Sequence, residues 1–191
     1  TGYSYYGDQL VDWIAEYRER LETLPVMSRV RPGEVAARFP AEAPRQGGRA
    51  GEAVAALDRD LLDGITHWTH PSFFAYFPSN ASYASVLGDL ACAGLGAQGM
   101  SWQTSPACTE LEQVVMGWLR GMVGLPEAFT GVVQDTASSS TLVALLCARE
   151  RATGFAQVRG GLQGEGAPLV VYASDQAHSS IDKAALLAGY G

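Results

Sequence analysis

The sequence predicts an α/β fold with a mainly parallel sheet, preceded by a helical arm, and three observations carry that reading. Two short apolar runs, Val132-Val133 and Leu169 to Tyr172, each lead into a polar turn and then into a helix-period segment. Strands alternating with helices in this way build parallel sheets. The residues before about His67 show no such alternation, only helix-period stripes separated by a stretch rich in small residues. Hydrophobic residues make up 47% and charged residues 17% of 191 residues, the balance of a globular chain rather than a disordered one.

From Asp8 to Leu24, apolar Leu10, Trp13, Ile14, Tyr17, Leu21 and Leu24 recur at helical spacing, with Glu16, Arg18, Glu19 and Arg20 largely opposite. Pro25 ends that helix. The stretch to about Gly51, around "APRQGG", has no periodicity and reads as an extended arm. Glu52 to Leu62 is helical again and Asp63-Gly64 closes it. Helices and an arm with so little core of their own pack either on their own domain or across a subunit interface. The string "HWTHPSFFAYFPSNASY", His67 to Tyr83, is too irregular for a helix and too rich in rings for an ordinary loop. Its rings form either core or a rigid hydrophobic wall.

A short helix follows through Val86, Leu87, Leu90 and Leu95. Ser105 and Pro106 are an N-cap and a first helical residue. The stripe Leu111, Val114, Val115, Trp118, Leu119 and Met122 predicts a buried helix face, stopped by Gly124 and Pro126. Thr141 to Arg151 and Ile181 to Leu187 are the helices after the two expected strands, and Gly189 ends the second.

The formal net charge is −7, and the 12 arginines and one lysine form no cluster, which argues against a nucleic-acid or anionic-membrane partner. The longest apolar run, Leu142 to Ala148, is far too short to span a bilayer, and no signal peptide opens the sequence. Cys92, Cys108 and Cys147 read as small buried hydrophobes in a reducing cytoplasm. His67, His70 and His178 assemble no zinc constellation, so no metal is expected.

Two turns can carry chemistry. Asp135 to Ser140, "DTASSS", sits between a strand and a helix, where free backbone N–H groups and the helix dipole suit a phosphate. Serine and threonine are equally the commonest N-caps, so the pattern alone supports both roles. The turn lacks the patterns of nucleotide and dinucleotide loops. His178 follows the later strand, and ligands of open α/β sheets sit beyond the carboxyl ends of the strands. Both turns therefore face one rim. Lys183, in the first turn of the following helix, reads as a surface residue.

The strings "HPSFFAYFPSNASYASVLGDL", "SWQTSPACTELEQVVMGWL" and "SDQAHSSIDKAALLAG" resemble the group II pyridoxal-phosphate (PLP) decarboxylases, within them the aromatic-L-amino-acid decarboxylases and their tryptophan and tyrosine relatives. The resemblance runs from about Asp8 to Gly191. It implies the fold type I large domain of PLP-dependent transferases, with residues 1–66 as N-terminal helices and dimerisation arm and 67–191 as the first part of the α/β cofactor domain. It places the phosphate-binding turn on Thr136, Ala137 and Ser138 and the ring-stacking, catalytic histidine on His178. Substrate-pocket positions fall on Trp68, Tyr76, Phe77, Pro78 and Ser79. Met100 and Trp102 resemble positions that reach the pocket from a partner subunit, so a cytoplasmic homodimer with its active site at the interface is expected.

The family's Schiff-base lysine, and the aspartate that pairs with the pyridine nitrogen, are expected beyond Gly191, so the chain is expected to be one piece of a longer or split protein, or else a fragment that cannot catalyse by itself. The activity implied is decarboxylation of an aromatic L-amino acid to its amine and carbon dioxide. The same residues fit an aromatic aldehyde synthase, or a non-catalytic dimerisation fragment. A glutamate-type decarboxylase is disfavoured, because no arginine lies between Arg59 and Arg120 to meet a side-chain carboxylate.

Overall fold

Helix-forming segments and their caps dominate the computed structural model, which describes residues 2–77, 81–164 and 166–190. The chain divides into two compact units, residues 1–95 and 96–191.

In the first unit, α1 (Gly2–Arg20) passes into a 3₁₀ turn, Leu21–Thr23. Leu24 is extended because the ring of Pro25 disfavours helical backbone before it. The helix starts six residues before the Asp8 expected from the periodicity, since no proline among residues 2–7 stops it. Helix α2 (Ala50–Ala56) tightens through a π turn, Leu57–Leu61, and a 3₁₀ turn, Leu62–Gly64. The arm between is irregular apart from one 3₁₀ turn, Ala36–Arg38. Trp13 donates its indole N–H to Asp58 Oδ2 at 2.6 Å, and Arg20 pairs with the same carboxylate, tying α1 to the π turn. Those hydrogen bonds, Trp13 first and Arg20 second, hold Asp58 below the usual carboxylate pKa. Helix α3 (Tyr83–Leu95) completes this unit, with the Arg18 guanidinium 4.3 Å from the centre of the Tyr83 ring.

The second unit begins with α4 (Pro106–Met122). Ser105 caps it as expected, its Oγ accepting the Cys108 N–H at 3.3 Å. Helix α5 (Ala137–Ala152) is capped by Thr136, and α6 (Ser180–Ala188) ends at Gly189 with φ +84°. Helices α5 and α6 pack on each other. Ala184 and Ala188 are buried and small, which lets the two backbones approach. Arg149 donates to the Ala188 carbonyl at 2.7 Å, and the Tyr190 hydroxyl to the Leu145 carbonyl at 2.8 Å.

Four expectations need correction. Among the described residues there is no strand. Val132-Val133 and Leu169 to Tyr172 are non-helical, but a strand exists only where a neighbour completes its ladder, and neither segment has one here. Without such a neighbour the Leu169 to Tyr172 run is largely open, with Val170 65% and Tyr172 93% exposed. The α4 stripe is open too, with Leu111, Val114, Trp118, Leu119 and Met122 all exposed, because that face has no covering element among the described residues. Helix α5 starts at Ala137 rather than Thr141, since the cap on Thr136 pulls the "ASSS" segment into its first turn. Finally, Cys92 and Cys147 are exposed and Cys108 half-buried, all three as free thiols, so their apolar neighbours in sequence do not enclose them.

Candidate functional site

Between α5 and α6 lies an open cleft of about 290 Å³, lined by Ser138, Ser139, Leu142, His178, Ser180, Lys183, Ala184 and Leu187. Each wall follows from local sequence. Thr136 has extended backbone and accepts the Ser139 N–H on Oγ1 at 3.1 Å, while its carbonyl takes the Ser140 N–H at 3.0 Å. The cap therefore satisfies the third and fourth N–H groups of the turn. The Ala137 and Ser138 N–H groups precede any intrahelical acceptor and point off the helix end. With the Ser138 hydroxyl they form a compact donor set at the positive end of a helix dipole.

On the facing side, His178 stands two residues ahead of α6 and is exposed. The Ser180 backbone N–H donates to His178 Nδ1 at 3.2 Å, and Ser180 Oγ lies 3.0 Å from the same nitrogen. A backbone N–H can only donate, so Nδ1 is an acceptor and the neutral ring carries its proton on Nε2. Ser180 is itself buried, which fixes the imidazole from behind. Lys183 lines the cleft from the first turn of α6 and is exposed.

The structure thus brings Ser138 and His178 to one cleft, with Thr136 as the cap and Ala137 at the first helical position behind it. Ser180 was not singled out from the sequence. The signal was present in "HSS", where a serine two residues after a histidine can fold back on it.

The aromatic strip belongs to the first unit. The Trp68 ring stacks between Phe73, centroids 5.0 Å apart, and Tyr76, 5.3 Å apart and tilted by only 12°. Phe74 and Phe77 are 91% and 96% exposed, so the strip is an open face rather than core. Pro78 and Ser79 lie outside the described residues. Met100 and Trp102 belong to the second unit and are exposed, with the Trp102 indole donating to Glu110 Oε1 at 2.8 Å. Among the described residues no group of histidine, cysteine and carboxylate side chains is arranged to hold a metal ion.

The chemistry of this donor set fits pyridoxal phosphate. Two outward N–H groups, a hydroxyl and a helix dipole suit the phosphate. A planar imidazole, fixed on its Nδ1 side, offers a flat face to a ring.

Comparison with known proteins agrees with that fit. A model of the pyridoxal-dependent decarboxylase conserved domain matches residues 32–191. The aromatic-L-amino-acid decarboxylase of Bos taurus is 43% identical over 194 residues, covering 96% of this chain and 40% of the bovine protein. An Oryza sativa structure described as TDC with PLP and tryptamine superposes with a TM-score of 0.87 at 36% identity, over 98% of this chain and 39% of that one. The 4-hydroxyphenylacetaldehyde synthase of Rhodiola rosea superposes with a TM-score of 0.86 at 38% identity, over 97% of this chain and 40% of that one. The chain spans about two fifths of the length of the proteins it matches. Its fold is that of the corresponding part of the fold type I PLP decarboxylases. The family match takes in the aromatic strip and both helix-end turns, and the chain belongs to the pyridoxal-dependent decarboxylase family.

Proposed function

We propose that the protein carrying this chain binds pyridoxal 5′-phosphate and decarboxylates an aromatic L-amino acid to the corresponding amine and carbon dioxide. The observation that carries the reading is the α5–α6 cleft, which joins a phosphate-type helix end to a fixed imidazole. When bound, the cofactor supplies the electron sink for the pair left by the departing carboxylate. The Ala137 and Ser138 N–H groups and the Ser138 hydroxyl grip the phosphate, with Thr136 holding the turn in shape. His178 covers one ring face and holds a proton on Nε2 at the rim. Trp68, Tyr76 and Phe77 form the wall against which the substrate's ring lies, and the family resemblance assigns Pro78 and Ser79 to the same substrate set. Once covered by the rest of the intact protein, these three rings would exclude water, which strengthens polar contacts inside.

Residues 67–191 then belong to the α/β cofactor domain, and their two apolar non-helical runs become strands where partner strands flank them. Residues 1–66 serve as the subunit arm of a homodimer, in which Met100 and Trp102 reach the partner's pocket. An apolar groove of about 620 Å³ between α1 and α3, lined by Leu10, Val11, Ile14, Val86, Leu87 and Leu90, supports a subunit contact there. The three free thiols suit the cytoplasm. No described helix is long and apolar enough to cross a membrane.

The likeness to an aldehyde synthase favours a second reading, in which oxygen and water are consumed and aldehyde, carbon dioxide, ammonia and peroxide are released. Aerobic turnover of aromatic L-amino acids, with amine, aldehyde and peroxide quantified together, tests both. Amine without peroxide supports the decarboxylase, aldehyde with equimolar peroxide supports the synthase, and no carbon dioxide from any aromatic amino acid contradicts both.

A further inference from the structure

His67 is the largest fully buried side chain among the described residues, only 2% exposed, in a unit whose surface is otherwise rich in open apolar groups. Its Nδ1 lies 2.8 Å from the Tyr17 hydroxyl on α1, and the two rings are 5.6 Å apart. Its backbone is held as well, with its N–H on the Val26 carbonyl at 2.9 Å and its carbonyl accepting the His70 N–H at 3.0 Å. The His70 carbonyl then accepts the Phe73 N–H at 2.9 Å, and His70 Nδ1 accepts the Ser72 N–H at 2.9 Å. Two consecutive turns thus run from His67 to Phe73, and each is pinned by a buried histidine. They set Trp68 against Phe73 and Tyr76.

Tyr76 is the far end of this device. Its φ is +56°, left-handed backbone that a bulky residue rarely adopts, and its side chain is 85% exposed. Such backbone costs on the order of 1 kcal/mol and persists only where neighbours fix it. Its ring stacks on Trp68. Trp68 follows His67 directly in the chain. On the other side, Tyr17 is fixed by a near-parallel stack on Trp13, 5.7 Å away and tilted 7°, and Trp13 by its bond to Asp58.

We propose that Tyr17 and His67 are positioning residues for substrate: their hydrogen bond sets the Trp68–Tyr76 stack against which the substrate's aromatic ring lies. Burial lowers the pKa of His67 and raises that of Tyr17, so both are neutral; the hydroxyl shares one hydrogen bond with Nδ1 and has the Thr69 side chain as its other partner. The inference rests on the proposed substrate wall, and it adds that α1, far along the chain from the helix-end cleft, tunes selectivity for aromatic substrates.

Steady-state kinetics of the intact PLP-loaded enzyme test it. Tyr17→Phe keeps the ring and removes the hydroxyl, and should raise KM for aromatic amino acids about five- to tenfold, the worth of one buried hydrogen bond. PLP content should stay that of the wild type, and the near-UV circular dichroism of the Trp68–Tyr76 pair should weaken. His67→Asn keeps an acceptor near the Nδ1 position and should recover most of the KM, whereas His67→Leu should not. If Tyr17→Phe lowers thermal stability but leaves KM and the dichroism unchanged, the pair is merely structural and the proposal fails. Trp68→Ala separates the two levels. A raised KM in Trp68→Ala with none in Tyr17→Phe overturns the positioning role alone, while an unchanged KM in both overturns the substrate wall itself. Should Tyr17→Phe not fold, His67→Asn against His67→Leu decides, and equal KM values in those two contradict the proposal.

Discussion

The buried Ser180 anchors the exposed His178: its backbone N–H and its hydroxyl both lie within 3.2 Å of the imidazole Nδ1. The hydroxyl can be removed without touching the backbone bond. Ser180→Ala should therefore lower kcat about three- to tenfold by loosening the ring, with PLP still bound, since one net hydrogen bond is worth about 1 kcal/mol. Presteady-state and steady-state rates with an aromatic amino acid measure this. A loss of PLP instead would assign Ser180 to cofactor binding.

Removing the imidazole is the stronger perturbation. His178→Ala should reduce kcat by about 10² to 10⁴, the usual contribution of a positioned acid–base group. Stability should barely change, because the side chain is exposed. His178→Phe retains a flat face and loses the proton, so recovery of rate in that variant would show that the ring only positions the cofactor.

The cap on α5 separates stability from binding. Thr136→Ala removes the acceptor of the Ser139 N–H and should destabilise the protein by about 1 kcal/mol. Thr136→Ser keeps the acceptor and should restore the melting temperature. Differential scanning calorimetry of the three proteins checks the order.

The buried His67 makes stability depend on pH. Burial, with His70 nearby, depresses its folded pKa below the ordinary value of 6.5, so the unfolded chain takes up a proton first as pH falls. Its contribution is complete above pH 6.5 and is lost as pH falls through the depressed folded value. Urea unfolding should show a steeper loss of stability below pH 6.5 in wild type than in His67→Asn. Parallel curves would mean that His67 is not buried neutral.

Much of this was legible in the sequence because it depends on neighbours close in the chain. Ser105-Pro106 caps α4, Gly189 closes α6, and the helical stripes of α1 and α3 form helices as their spacing required. The placement of Ser138 and His178 in the candidate cleft was legible in the same way, for each is set by a local turn. Long-range features were not. Burial of the α4 stripe and strand formation at Val132-Val133 and Leu169 to Tyr172 require surfaces from elsewhere, and no local pattern carries that information. The Tyr17–His67 bond joins residues 50 apart, which no periodicity records.

The outward N–H groups at the start of α5 are proposed to hold the cofactor's phosphate, and Ser138→Asp tests this most directly. A carboxylate in the first turn of a helix favours the helix dipole, so the apo protein should melt at or slightly above the wild-type temperature. The same carboxylate would stand against a phosphate, and repulsion of a few kcal/mol should raise the Kd for PLP by about a hundredfold or more. Fluorescence titration of both apo proteins with PLP gives the answer. A stable variant that has lost its PLP affinity is the predicted result, and a stable variant that binds PLP as tightly as wild type would contradict the account.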